Sequence, residues 1–326
     1  RSMKAIQCKE YGPPSALVLE QLPEPVPKEN EVLVQVKACG VNYPDTLIIQ
    51  GLYQIKPELP FTPGSDVAGI VAAVGKGVKH LAVGDPVFGF VPYGGLAESV
   101  VVPATACFPK PDKMDFTVAA SFMMAYGTSY HALKDRARLR EGETLLVLGA
   151  SGGVGLAAVE LGKQMGARVI AAASTDEKLE LCREYGADLL INYNETDLKA
   201  TLKELTGHKG VDVIYDPVGG DYTEPAFRGI AWEGRFLVVG FAAGSIPKIP
   251  LNLPLLKGAS LVGVFWGAFA MKHPKQNMQN AMTLMQWFEE GRLNPHIHRV
   301  YALEDSPKAL EEMLARKVRG KVVVSM

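Results

Sequence analysis

One run constrains this chain more than any other: residues 145–159, LLVLGASGGVGLAAV, a buried apolar strand that passes through glycines into a helix. Glycines at such a turn let backbone N–H groups and a helix N-terminus approach a pyrophosphate. The last of them, Gly155, lets the helix pack against the sheet. A glycine motif alone is weak, but here the required strand precedes it and the required helix follows it. Ala150, Gly152, Gly153, Val154 and Gly155 are therefore expected to line a dinucleotide.

Further along, apolar strand-length runs at 168–172, 189–192, 211–215, 235–239 and 260–264 alternate with helix-length segments. That alternation is the pattern of a doubly wound parallel sheet. Before residue 111 the rhythm differs: short β-branched runs at 31–37, 67–74 and 97–102 sit between Gly and Pro turns, predicting a compact β-rich unit. After residue 266 come a Met- and Leu-rich helix over 278–290, a strand near Val300, a helix opened by Asp305-Ser306-Pro307, and a final strand over 321–324. The methionines Met278, Met282 and Met285 follow helical spacing and are expected in the core.

The second strand of the parallel sheet decides the cofactor. A site for NAD usually carries a carboxylate there to hold the adenosine ribose. This strand ends in Ala171-Ala172-Ala173-Ser174, leaving room for a 2′-phosphate, with Lys178 as countercharge and Ser174 as hydrogen-bond donor. The expectation is NADPH. Asp176 is discordant, since it stands close enough in sequence to reach a ribose, and a solvated helix face accounts for Lys178 nearly as well.

Charge excludes other classes. With 34 basic and 35 acidic side chains interleaved, the formal net charge of -1 offers no footprint for nucleic acid or an acidic membrane. The apolar stretches at 118–133 and 145–159 are too short and too interrupted to span a bilayer. Cys8, Cys39, Cys107 and Cys182 form no CxxC pair, which suits reduced thiols. The start, Arg1-Ser2-Met3, lacks the apolar core of a signal peptide, so a cytoplasmic protein is expected.

Six motifs in order carry a family resemblance: GVNYPD (40–45), GLY (51–53), PGSD (63–66), VGDPV (83–87), GGLAE (94–98) and the glycine loop. From Met3 to Met326 the chain resembles the zinc-independent quinone oxidoreductase branch of the medium-chain dehydrogenases/reductases. The resemblance implies an α/β protein: a GroES-like β-rich catalytic domain, 1–123 and 265–326, around a Rossmann parallel-sheet cofactor domain, 124–264, with the active site in the cleft. It also implies a homodimer, paired through an edge strand near 260–264.

In zinc-containing relatives a Cys, a His and a further Cys hold the metal. The corresponding positions here look like Asn42, Ser65 and Met124, a poor donor set for Zn²⁺, so no metal is expected. The resemblance places Tyr193 and Arg316 near the 2′-phosphate, Gly240, Phe241 and Phe265 by the nicotinamide, and Thr128 near the cofactor ribose or nicotinamide. A surface position explains Tyr193 and Arg316 equally well, and core packing Phe241 and Phe265. Tyr53 stands where enoyl thioester reductases of mitochondrial type carry their catalytic tyrosine, and Asn42 is expected in the same cleft; a pocket-wall role for Tyr53 stays open. Tyr126 is read as pocket lining or packed helix face, and His131 and the His296/His298 pair as structural.

Hydride transfer without a Lewis acid needs an acceptor whose charge hydrogen bonds can stabilise. Quinones and other conjugated carbonyls qualify. Three readings remain: quinone reduction, reduction of an activated carbon–carbon double bond, and, from another class, an NADPH-binding structural protein of crystallin type.

Overall fold

A computed structural model describes residues Arg1–Met326. The chain forms two compact units: Arg1–Met124 with Phe269–Glu289 and Asn294–Met326, and Ala125–Ala268 with Glu290–Leu293.

The first unit is built on the strand Glu31–Val41, which bonds antiparallel to Asp66–Val74, Ser99–Pro103 and Lys321–Ser325. Eight of its eleven residues are buried. Valines dominate the core here, among them Val32, Val34, Val36, Val41, Val67, Val322 and Val324. Each fully buried valine contributes about 1.5–3 kcal/mol relative to exposure. A hairpin-like pair, Ser2–Gln7 with Val18–Pro23, was not signalled by the sequence pattern, because the second of these strands has no fully buried residue.

The second unit carries the expected parallel sheet of six strands. The order across it is Leu189–Asn192, Arg168–Ala173, Thr144–Val147, Val211–Asp216, Ile230–Val238, Ser260–Gly263. Chain order reverses between Thr144–Val147 and Val211–Asp216, and in open α/β sheets ligands bind beyond the strand C-termini at such a switch point. The glycine loop leaves Thr144–Val147 at that place and enters the helix Gly153–Gln164.

The segment after Met123 is helical but largely not α: Met123–Gly127 and His131–Arg136 are π-helical, and Ala137 N–H reaches back five residues to Ala132 O at 2.8 Å. One expectation is corrected. In the helix Pro274–Glu289 the buried face is Asn277, Asn280, Ala281 and Leu284, while Met282 is 60 % exposed. The methionine stripe lies beside the core, since its spacing selects a helix face without fixing which face is covered. No helix is long and apolar enough to cross a membrane, and all four cysteines are buried free thiols.

Candidate active site

In the second unit, an added Cβ at Gly155 would stand 2.2 Å from Gly149 O, so only glycine lets the helix start this close to its strand. Gly149 has φ +56, a left-handed conformation that an L side chain rarely adopts. Gly152 is the N-cap, with no side chain to satisfy the first N–H groups of the 12-residue helix. Those donors are the expected pyrophosphate contacts, with Ala150 buried beneath them and Gly153 and Val154 half-buried. The helix is anchored from behind, where Ser129 Oγ donates to Val154 O at 2.8 Å and meets Tyr215 Oη at 2.8 Å. Thr128, beside it, is buried.

At the end of the second strand, Lys178 Nζ donates to Ser174 Oγ at 3.2 Å. The two residues singled out for a 2′-phosphate are thus together, and both are half-buried. Thr175 caps the helix that carries Lys178 by accepting from its N–H. The discordant Asp176 accepts from Asn192 Nδ2 at 3.1 Å. Asn194 Nδ2 donates to Ser174 O at 3.0 Å, tying the neighbouring loop to the same spot. Tyr193 follows, its ring 4.2 Å from that of Tyr222. A phosphomonoester fits this group: a cation and hydroxyl side by side, with the Asp176 carboxylate engaged by Asn192.

The turn after Val211–Asp216, whose role sequence did not assign, is organised by Asp216. Its carboxylate accepts from Val218 N–H (2.8 Å), Gly219 N–H (2.9 Å) and Thr223 Oγ. Burial raises the Asp216 pKa, and these three donors oppose the rise. Gly219, at φ +68, leaves no room for a Cβ because Phe241 stands 2.9 Å away. Phe241 and Gly240 are half-buried, whereas Phe265 is 49 % exposed and packs in no core. Arg316, exposed at φ +58, belongs to the first unit.

The first unit gathers a polar cluster that motif reading only partly foresaw. Asn42, Asp45, Ser65, Asp66 and Lys321 are all buried. Asn42 ends the central strand and opens the helix Tyr43–Ile48, and its N–H donates to Asp45 Oδ2 at 2.8 Å. Lys321 Nζ donates to Asn42 Oδ1 and lies 3.4 Å from Val41 O. Asn42 Nδ2, Ser65 Oγ and both Asp66 carboxyl oxygens have no partner at hydrogen-bonding geometry. The Asn42 amide and the Met124 N–H nonetheless lie near enough to Asp66 to favour its charged form.

Burial pushes the Asp66 carboxyl up to about 7, against the pull of Lys321, and Asp45 up to about 6. The same burial lowers the Lys321 pKa, opposed by Asp66 and then Asp45. Tyr53 lies past Gly51 (φ +71) on an open concavity lined also by Leu52, Gln54 and Lys56. Burial raises its phenol, and the charge of Asp45 adds to the rise, which brings Tyr53 into the electrostatic neighbourhood of the cluster.

Other aromatic and imidazole candidates are accounted for structurally. Tyr126 Oη donates to Glu160 Oε1 at 2.6 Å, His131 Nδ1 is 2.7 Å from Asp135, and both nitrogens of His298 are engaged, by Glu312 and by Arg319 N–H. The sequence reading missed Lys321. Its signal was present, a lone charge opening a run of three valines in the final strand, 321–325. It also passed over Asn192 and Tyr222, whose roles depend on loops that meet only in the folded sheet.

A β-rich unit joined to a six-stranded parallel sheet with a glycine-bound helix N-terminus defines a dinucleotide-dependent oxidoreductase. Residues 28–112 match the alcohol dehydrogenase GroES-like domain, and residues 153–287 the zinc-binding dehydrogenase family. A quinone oxidoreductase-like protein 2 homolog from Nematostella vectensis is 41% identical across 100% of this chain and 89% of its own length. Human quinone oxidoreductase is 35% identical over 99% of this chain and 97% of its own. The Escherichia coli quinone oxidoreductase complexed with NADPH superimposes at TM-score 0.94 with 29% identity, covering 99% of this chain and all of that one. The chain belongs to the quinone oxidoreductase branch of the medium-chain dehydrogenase/reductase family.

Proposed function

We propose that this chain is an NADPH-dependent reductase that transfers hydride to a quinone or another conjugated carbonyl without a metal. The observation that carries the cofactor half is the Lys178–Ser174 contact at 3.2 Å, with Asp176 turned to Asn192. The E. coli relative was solved with NADPH. When bound, NADPH supplies the hydride. Ala150 and Gly152 to Gly155 hold the pyrophosphate; Ser174, Lys178 and Tyr193 hold the 2′-phosphate; Thr128, Gly240 and Phe241 border the ribose and nicotinamide. By family resemblance, Phe265 and Arg316 complete the cofactor contacts.

The acceptor gains two electrons and a hydrogen, and charge grows on its carbonyl oxygen. Tyr53 Oη and Asn42 Nδ2 are the donors assigned to that oxygen, and each is worth most where water is excluded. A raised phenol pKa keeps Tyr53 protonated, as a donor must be. The metal-free reading rests on the donor set: an amide at 42 and a hydroxyl at 65 are weak Zn²⁺ ligands. Reduction of an activated carbon–carbon double bond uses the same donors, with Tyr53 giving up its proton. NADPH oxidation by matched quinone and enone acceptors tests the reading, and binding of NADPH without turnover of either would favour a structural role.

A homodimer is part of this proposal. The strand Ser260–Gly263 is the last in the sheet and largely exposed, with Leu261 41 % and nearby Trp232 67 % accessible. An uncovered strand edge is a template for pairing.

A further inference from the structure

Lys321 opens the final strand, whose next residue, Val322, pairs with Val41. That register sets the buried Lys321 side chain against the end of the central strand, where Asn42 follows. Its ammonium donates to Asn42 Oδ1 and makes no ion pair with Asp45 or Asp66, although both influence its charge. An ammonium has three donors and no acceptor, so it accepts only one of the two orientations of the Asn42 amide, oxygen toward lysine. The other end, Nδ2, carries two hydrogens; it lies near enough to Asp66 to favour the charged carboxyl, yet makes no hydrogen bond of acceptable geometry. Native proteins rarely leave such a group unpaired, and with Asp66 taking one hydrogen the other remains for a ligand or a water.

We infer that Lys321 is a positioning residue: it pins the Asn42 amide oxygen and thereby presents Nδ2–H to the carbonyl oxygen of the bound acceptor. This rests on the reading of Asn42 as a site residue. A methionine of similar length would fill the space without fixing the amide, and a buried charge is costly enough that packing alone does not account for the lysine.

The test compares Lys321→Met, Lys321→Arg, Asn42→Ala and the double variant Asn42→Ala/Lys321→Met in NADPH oxidation with a quinone. Lys321→Met should lower kcat roughly 10- to 100-fold, the usual effect of removing an orienting partner, with KM for NADPH little changed. Lys321→Arg, also a pure donor, should recover part of the loss. The double variant should be no slower than Asn42→Ala, because without the Asn42 amide the lysine has no site group left to orient, only Val41 O. Unchanged kcat in Lys321→Met, or losses that multiply in the double variant, would overturn the inference. If Lys321→Met does not fold, Lys321→Met/Asp66→Asn removes the uncompensated carboxylate and takes its place.

A readout independent of turnover separates this inference from the proposed function. In ¹⁵N-labelled protein, the Asn42 side-chain NH₂ signals, assigned through Asn42→Ala, should move on Lys321→Met and be largely kept in Lys321→Arg. Signals that stay put in Lys321→Met would refute the positioning role. An inactive wild-type chain whose Asn42 signals do respond would refute the assigned reaction while leaving the role of Lys321 intact.

Discussion

Asn192 Nδ2 donates to Asp176 Oδ1 at 3.1 Å, so the carboxylate that follows Ser174 and precedes Lys178 is held by a neighbouring strand. Lys178, on the same helix, turns instead to Ser174. The Asn192→Ala change should release Asp176 to meet a ribose hydroxyl and narrow the preference for NADPH over NADH. Lys178→Ala should raise KM for NADPH about 10- to 100-fold, the equivalent of one charge-assisted hydrogen bond of ~1.5–3 kcal/mol, and leave KM for NADH nearly unchanged. Steady-state kinetics with both cofactors checks the pair of predictions.

The cofactor unit was readable from sequence because its signals are local. A strand, a glycine turn and a helix are consecutive, and the small residues ending at Ser174 follow within one crossover. The fate of Asp176 was not readable, since Asn192 reaches it from a different strand, Leu189–Asn192, and only pairing with Arg168–Ala173 brings the two together. Lys321 was hidden for the same reason, lying 279 residues from Asn42. For Phe265 the sequence left core packing open beside a cofactor contact; it follows the edge strand Ser260–Gly263 and is 49 % exposed, which removes the core alternative only.

Asp66 titrates far above an ordinary carboxyl, near pH 7, because it is buried. Its folded pKa exceeds its unfolded one, so the folded state binds the extra proton and this contribution to stability is complete below about pH 4. It fades as pH rises through 7, with a slope of up to about 1.4 kcal/mol per pH unit. Asp45 and Lys321 face the same cluster and remain in Asp66→Asn. Chemical denaturation of wild type and Asp66→Asn across pH 5–8 should therefore show stability falling more steeply with pH in the wild type. Parallel profiles would contradict the buried, raised carboxyl.

The edge strand Ser260–Gly263 offers a simple test of assembly. Leu261 is partly exposed there, and a charge at that position blunts edge pairing. Leu261→Glu should elute as a monomer in size-exclusion chromatography with light scattering, while the wild type elutes as a dimer. A monomeric wild type would remove the dimer from the account.

Tyr53 separates the two reductions that the site permits. A quinone oxygen needs only a hydrogen bond to its developing charge, whereas reduction of a double bond needs a proton delivered to carbon. General acid catalysis typically contributes about 10²–10⁴-fold. Tyr53→Phe should lower kcat with both acceptors, by at least about tenfold with an enone, where the proton is lost as well, and by less with a quinone, where only one of two hydrogen bonds to the oxygen is removed.

The most direct test of the central claim is NADPH oxidation followed optically with a quinone and an enone of similar size, repeated with NADH. The account predicts turnover of the quinone with NADPH and a much higher KM for NADH. Equal use of NADH would contradict the roles given to Ser174 and Lys178, and tight NADPH binding with neither acceptor reduced would contradict the assignment of a reductase.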